Sequence, residues 1–171
     1  MITLIKDSLW KQFGASIDML HNAIDRWPEH LWNTNRRPLY LGYHTIVFLD
    51  YYLTIPPKGF SPALPYTTND NWKEIDGAVD DMIPTENYTK KELLQYLRAC
   101  RDKCHSLITS LDEQKINERW IDESGRKNYS VLEILLYNMR HVQHHAAQLN
   151  MLLRKEINDA PKWVGRAVED L

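Results

Sequence analysis

The sequence has few of the features that mark secreted or membrane-spanning proteins. It contains only two cysteines, Cys100 and Cys104. Because no second pair of Cys or His residues stands near them, we interpret both as small buried side chains rather than as a disulfide or a zinc site. No stretch approaches the roughly 18 apolar residues that a membrane span requires. We therefore expect no membrane partner.

The sequence also lacks any block of like charges. Lys and Arg number 21 against 23 Asp and Glu, which gives a formal net charge of -2. A surface that follows nucleic-acid phosphates needs clustered cations, so nucleic acid is not expected as a partner. Near the N-terminus, Lys6, Asp7 and Lys11 interrupt the apolar residues, a pattern that a secretory signal does not have. These observations predict a cytoplasmic protein.

Three common catalytic motifs are missing: the G-x-S-x-G elbow, the G-x-G-x-x-G loop and the G-x-x-x-x-G-K-[ST] loop. Their absence leaves a serine hydrolase, a nucleotide-dependent oxidoreductase and a P-loop enzyme without support. The sequence does supply 43% hydrophobic and 11% aromatic residues over 171 positions. That is enough to bury a core within one domain, which we expect to span residues 1–171.

Hydrophobic periodicity predicts four amphipathic helices and no convincing β-strand. Capping boxes at Thr89–Glu92 and Ser130–Glu133 start the third and fourth of them, and Pro38 fits the first turn of the second. The connection 56–88, which could hold a short helix at 72–81, is long enough for a crossover. The pattern predicts an all-α four-helix bundle with a long crossover between helices 2 and 3. The helices are expected at 3–25, 40–53, from 89 to about 111 and from 130 to about 157, with an extended excursion or small hairpin at 112–129 and a tail, carrying Trp163, that packs back on the bundle.

The last helix contains two histidines that could hold a metal ion. Each helical residue turns about 100°, so His141 and His145 lie on the inner side of this helix, one turn apart. His144 falls about 160° from the core direction, on the solvent side, and is not expected to be a ligand. Two partly buried histidines with ordinary hydrogen bonds would explain the pattern equally simply, but two inward rings at ligand spacing favour metal binding.

The spacing of residues along the helices does not identify which other histidine is the third metal ligand. His44 lies in the middle of LYLGYHTIVFLDYYL, a segment that is apolar almost all round. His21 and His105 lie off their helices' core direction, and His30 lies in a connection. All four remain candidates on this basis.

The sequence resembles the DinB-like superfamily of metal-dependent enzymes. The resemblance rests on YNMRHVQHHAAQLNMLLR in the last helix, on LGYHTIVFLDYYL in the second, and on the long connection between helices 2 and 3. It implies that His44, His141 and His145 hold a divalent metal ion and that the protein is a homodimer. Three imidazoles accept zinc, nickel, iron or copper, of which we expect zinc or nickel. The sequence has Ala146-Ala147 where many relatives have Arg-Gly, which changes surroundings of the site but not its ligands.

Three neutral imidazoles leave coordination positions open, as catalytic metal sites do. Together with the resemblance, whose family includes proteins similar to hydrolases and to transferases that use low-molecular-weight thiols, this predicts an enzyme that acts on a small molecule in one of these two ways. The alternative is a helical protein that binds a metal or ligand without catalysis. Asn138 and Gln148, one turn either side of the histidine pair, could orient the rings or hold substrate, or could make ordinary hydrogen bonds at the helix edge. No general acid or base is identified.

Overall fold

Helices dominate the protein in a computed structural model that describes residues 1–167, which confirms the predicted all-α class. Four strands of three residues each form two small antiparallel hairpins beside the helices. No helix in this part of the chain combines the length and hydrophobicity needed to cross a bilayer. The elements are α1 (Ile2–Arg26), α2 (Glu29–Thr34), α3 (Arg36–Leu53), β1 (Tyr66–Thr68), β2 (Met82–Pro84), α4 (Lys90–Thr109), β3 (Arg119–Ile121), β4 (Asn128–Ser130) and α5 (Val131–Ile157).

The predicted starts of the last two long helices are confirmed by their caps. Thr89 Oγ1 accepts a hydrogen bond from Glu92 N at 3.2 Å, and Thr89 N donates to the Glu92 carboxylate at 2.8 Å. Ser130 Oγ likewise accepts from Glu133 N at 3.1 Å. These bonds satisfy amide groups that have no partner within the first helical turn.

Two predictions about the first half of the chain need correction. The connection after α1 contains the short helix α2, which was not predicted. Helix α3 begins at Arg36, where Asn35 caps it by accepting from Arg37 N, so it starts before residue 40 while Pro38 lies in its first turn, as predicted. In the crossover, only Trp72–Glu74 is helical, as a single 3₁₀ turn, instead of the helix proposed at 72–81.

The four long helices surround the main apolar core, and a second, smaller cluster forms around Tyr52, Trp120 and Ile134. Helix α1 packs against α4 and α5, and α3 packs against the same two helices. Cys100 and Cys104 are buried, free thiols in this core, as predicted, and burial raises the pKa of both. Asn138, fully buried on α5, donates to Leu49 O on α3 at 3.0 Å. His44 and Tyr52 on α3 contact His141 and Tyr137 on α5 respectively, so the two helices are antiparallel.

The crossover, residues 56–88, packs closely against the beginning of α3. Gly77 has φ +82°, and a Cβ built there would lie 2.7 Å from Arg37 N. The Arg37 guanidinium donates to Ala78 O at 2.7 Å. Beyond this contact, β2 pairs with β1. The crossover is therefore held close to the helix that carries His44.

The chain after α5 returns to α1, as predicted. Ala167 N donates to Lys11 O at 2.9 Å, and Val164 N contacts Met19 Sδ at 3.2 Å. The Trp163 side chain, however, is 71% exposed, so the tail is held by its backbone and smaller side chains. Residues 168–171, which the predicted domain and tail include, lie outside the described residues.

Candidate metal centre

Helix α5 presents His141 and His145 on the side that faces α3. Their ring centroids lie 4.5 Å apart, and both side chains are half-buried. His144 is exposed. The orientation predicted from helical geometry for these three rings is thereby confirmed. Spacing of one turn brings the two inner rings into contact because residues four apart lie above each other on a helix.

His44 on α3 completes a cluster of three imidazoles. One ring nitrogen of each of His44, His141 and His145 lies within 4.8 Å of the others. His44 Nε2 lies 3.2 Å from His141 Nε2. The structure therefore brings together all three residues that the resemblance implied. His105, one of the alternatives, packs edge-on against the Trp10 ring instead, with 4.5 Å between centroids.

The donor set fits a divalent metal ion. Two neutral imidazole nitrogens that face each other with lone pairs repel, so a contact of 3.2 Å requires a proton or a cation between them. Tetrahedral zinc, with Zn–N distances of about 2.0–2.1 Å, places neighbouring ligand nitrogens roughly 3.3 Å apart. The His44–His141 contact matches that separation.

Two of the three rings are held through their second nitrogen. His44 Nδ1 donates to Asp80 Oδ2 at 2.6 Å, and His145 Nδ1 donates to Gln148 Oε1 at 2.7 Å. Both partner oxygens can only accept, so each ring carries its proton on Nδ1 and keeps a lone pair on Nε2. Such outer hydrogen bonds are typical of histidines that bind metals.

His141 is held differently. Its Nδ1 is buried and has no hydrogen-bond partner within the described residues. The ring packs instead against Phe48 and Tyr52, with centroid distances of 5.7 and 6.0 Å. Its orientation therefore depends on aromatic packing and on the neighbouring histidines.

Burial keeps two of the rings neutral. Desolvation lowers the pKa of His141 from 6.5 to about 3, and the nearby His145 and His44 add to the effect. The pKa of His145 falls to about 4, again chiefly by burial, although the Gln148 hydrogen bond opposes the shift. At neutral pH both rings therefore offer lone pairs rather than positive charge.

The sequence did not indicate Asp80 as a partner of the site. For the side-chain amides of Asn138 and Gln148 it left two functions open, orienting a ring or holding substrate on the one hand and ordinary hydrogen bonding on the other. Asp80 lies in the irregular crossover, where no periodicity indicates which way a side chain points. Gln148 does orient a ring, that of His145. Asn138 makes a hydrogen bond between two helices and does not contact a histidine by hydrogen bonding.

A cleft of about 370 Å³, here called the hairpin cleft, opens beside the cluster. One wall is the face of α3 that continues from His44 through Phe48 and Tyr51, and the opposite wall comes from the β3–β4 hairpin. The Phe48 ring lies 4.8 Å from the His44 ring, so the cleft adjoins the histidines. Its lining consists of Val47, Phe48, Tyr51, Phe60, Tyr66, Met82, Asp122, Glu123 and Lys127.

Comparison with protein families gives the cluster its context. The sequence model of the DinB superfamily matches residues 12–149, a range that contains all three histidines. The chain belongs to the DinB superfamily. No curated protein and no solved structure matches it. For this DinB-superfamily protein, membership and the three-histidine cluster are together compatible with a divalent metal site.

Proposed function

We propose that this DinB-superfamily protein binds one divalent metal ion through His44, His141 and His145 and acts as a metal-dependent enzyme on a small molecule. The observation that carries the proposal is the convergence of three imidazoles from two helices, two of them with the second nitrogen held by Asp80 and Gln148. Three neutral ligands leave positions for a reactant, as in catalytic zinc sites.

The reaction that we propose is either hydrolysis or transfer of a low-molecular-weight thiol. A bound divalent ion would act as a Lewis acid, polarising an electrophile and favouring the deprotonated form of a water or thiol that reaches it. The chain's own contribution is to orient the imidazoles through Asp80 and Gln148 and to offer an aromatic wall at Phe48 and Tyr51. Zinc or nickel is the proposed metal, since imidazole nitrogen suits both.

The scaffold that we propose for this site is one domain, a four-helix bundle of the DinB-like type with a long crossover between its second and third long helices. We also propose that it works in the cytoplasm as a homodimer, without nucleic-acid or membrane partners. The support is the packing of α1 and α3 against α4 and α5, together with family membership.

A second candidate function is metal or ligand binding without catalysis. One observation favours it: the carboxylate nearest to the histidines, that of Asp80, is already engaged with His44 Nδ1 and with Met82 N. It is therefore not free to move a proton to or from a substrate. Thiol-dependent loss of an electrophile and hydrolysis of simple esters or amides, assayed with metal-loaded protein, would separate the two candidates.

Elemental analysis of protein purified without an affinity tag tests the metal site. We expect about one first-row metal ion per chain in the wild type, loss of the ion in His44→Ala, His141→Ala and His145→Ala, and retention in His144→Ala, because the exposed ring points away from the cluster. The His144 variant is the matched control. Full metal retention in His141→Ala would contradict the proposed site.

A further inference from the structure

Four aromatic rings line the hairpin cleft: Phe48 and Tyr51 from α3, and Phe60 and Tyr66 from the crossover. All four side chains are half-buried, so each keeps part of its surface accessible. The Tyr51 centroid lies 5.3 Å from that of Phe60 and 6.4 Å from that of Phe48, with interplanar angles of 66° and 82°. Rings inclined this steeply to one another form the walls of a cleft rather than a closed stack.

The Tyr51 ring, which contacts two of the others, is also held from the hairpin side. The Trp120 ring packs edge-on against it, with 5.3 Å between centroids. Trp120 is fully buried, and its indole N–H donates to Thr54 O at 3.0 Å. The aromatic wall is therefore ordered before a ligand arrives, which lowers the entropy cost of binding.

The charged residues of the cleft lining give it a net negative charge. Asp122 and Glu123 supply two negative charges, and Lys127 supplies one positive charge. The Lys127 ammonium turns to partners outside the lining: it donates to the Tyr52 hydroxyl at 3.2 Å and lies 5.7 Å from the centroid of the Tyr137 ring. The charge balance of the hairpin cleft therefore favours a cation over an anion.

The two acids act on the aromatic wall. Desolvation opposes ionisation of Asp122, but hydrogen bonds from Ser124 Oγ and Lys127 N, together with the Lys127 charge, hold the pKa of its carboxyl below the usual range. Burial raises the pKa of the Tyr51 hydroxyl, and the charges of Asp122 and Glu123 add to that shift. Negative charge therefore lies within electrostatic reach of the Tyr51 ring.

Aromatic faces attract cations through the negative potential of their π electrons, and carboxylates nearby strengthen the attraction. We propose that the hairpin cleft binds an organic ammonium ion, with the cationic nitrogen against the rings of Tyr51 and Phe60 and the hairpin acids beside it. The inference rests on the proposed function, because the Phe48 ring joins the cleft to the His44 ring at 4.8 Å. It narrows the small molecule handled there to one that carries an ammonium group.

A matched pair of probes tests this assignment. Choline and its neutral carbon isostere, in which a tert-butyl group replaces the trimethylammonium group, share shape and hydroxyl and differ in charge. Ligand-observed NMR titration of the purified full chain measures both dissociation constants. We expect choline to bind about ten-fold more tightly, as cation–π contacts in a half-buried site would give. The preference should fall to about two-fold or less in Tyr51→Leu and Phe60→Leu and persist in Tyr51→Phe, which keeps the ring. Trp163→Leu is the matched control, because it removes an exposed ring from the tail after α5.

Glu123→Gln tests the charge separately from the rings, because Glu123 is exposed and its replacement leaves the packing intact. Choline affinity should fall about two-fold, with no change for the isostere. Glu156→Gln, exposed at the end of α5, should change neither affinity. Equal binding of the two probes by the wild type would overturn the assignment. A full preference for choline in both Tyr51→Leu and Phe60→Leu, folded by circular dichroism, would overturn it too.

The same titration in His141→Ala, with metal content measured on the same samples, separates this inference from the metal proposal. If the cleft binds the cation, the preference for choline survives in His141→Ala although the metal is lost. A preference that disappears together with the metal would place the cation outside the cleft and overturn the assignment. A wild type that prefers choline but holds no metal would contradict the proposed function and still support the cleft.

Discussion

At the scale of single residues, Asp80 links the crossover to the proposed metal site. Its Oδ2 accepts from His44 Nδ1 at 2.6 Å, and its Oδ1 accepts from Met82 N at 3.0 Å. The second bond fixes the carboxylate, and the first fixes the plane and tautomer of the ring. A carboxylate in this position also makes the imidazole a stronger donor to a metal.

Replacing Asp80 should therefore weaken metal binding more than it weakens the fold. We expect Asp80→Ala to lower metal affinity roughly ten- to hundred-fold, the usual effect of removing an outer partner of a ligand. Isothermal titration with Zn²⁺ measures the change. Asp81→Ala is the matched control, because the neighbouring side chain is exposed and its loss should leave affinity unchanged. Equal affinities for Asp80→Ala and the wild type would show that His44 is oriented without this carboxylate.

The two site residues that could be predicted from the sequence alone, His141 and His145, both lie on α5. A turn of about 100° per residue selects His141 and His145 and excludes His144 with no further information. His44 needed the family resemblance, since His21, His30 and His105 could not be excluded by spacing. Asp80 could not be predicted, because its side-chain direction depends on an irregular segment fixed by tertiary contacts.

At the scale of elements, the crossover depends on one close approach of two backbone segments. Gly77 adopts a positive φ directly over the start of α3, with no room for a side chain. Asp80 follows three residues later. The position of the carboxylate that holds His44 is therefore set by how closely this segment can lie on Arg36 and Arg37.

Two glycine substitutions separate backbone strain from steric overlap. Gly77 and Gly125 both have positive φ, but a Cβ meets backbone atoms at 2.7 Å only at Gly77, whereas nothing lies within 4 Å of it at Gly125. We expect Gly125→Ala to reduce the free energy of unfolding by about 1 kcal/mol and Gly77→Ala by about 2–4 kcal/mol. Urea denaturation measures both. Equal losses would mean that the crossover moves away from α3 at little cost.

Helix starts could be predicted from the sequence where a capping side chain marks them. The boxes at Thr89 and Ser130 placed α4 and α5 correctly. The small hairpin that was one of two alternatives for residues 112–129 is present as β3 and β4. The strands themselves could not be located from the sequence, because segments of three residues are too short to show an alternation of apolar and polar positions. The helix expected at 72–81 does not form, since Gly77 leaves the helical region to contact α3.

At the scale of the whole molecule, an apolar groove between α1 and α5 is open to solvent in the part of the chain that the structure describes. It includes Leu4 and Leu136, which are 70% and 43% exposed. The homodimer proposed above would bury this surface, because large contiguous apolar patches on a folded chain are typical of interfaces. The rest of the groove comes from Ile5, Ser8, Leu9, Gln12, Leu132 and Met139.

Charge introduced into this groove should separate the two copies. We expect the wild type to have the mass of a dimer by light scattering and Leu136→Glu to have that of a monomer, with unchanged helical circular dichroism. Ile121→Glu is the control, because Ile121 is similarly exposed, at 44%, but lies on the hairpin. A monomeric wild type would contradict the dimer, and a dimeric Leu136→Glu would place the interface elsewhere.

The hydrogen bond from Asn138 to Leu49 O has a consequence for the alignment of α3 along α5. Apolar side chains alone tolerate a slide of one helix past the other, since one methyl group packs much like the next. A slide of a single turn displaces side chains by about 5.4 Å, which would strand the Asn138 amide in the core without an acceptor, at a cost of about 1–3 kcal/mol. The Asn138 hydrogen bond thus fixes the axial alignment of α3 and α5. It favours the one alignment in which His44 on α3 meets His141 and His145 on α5.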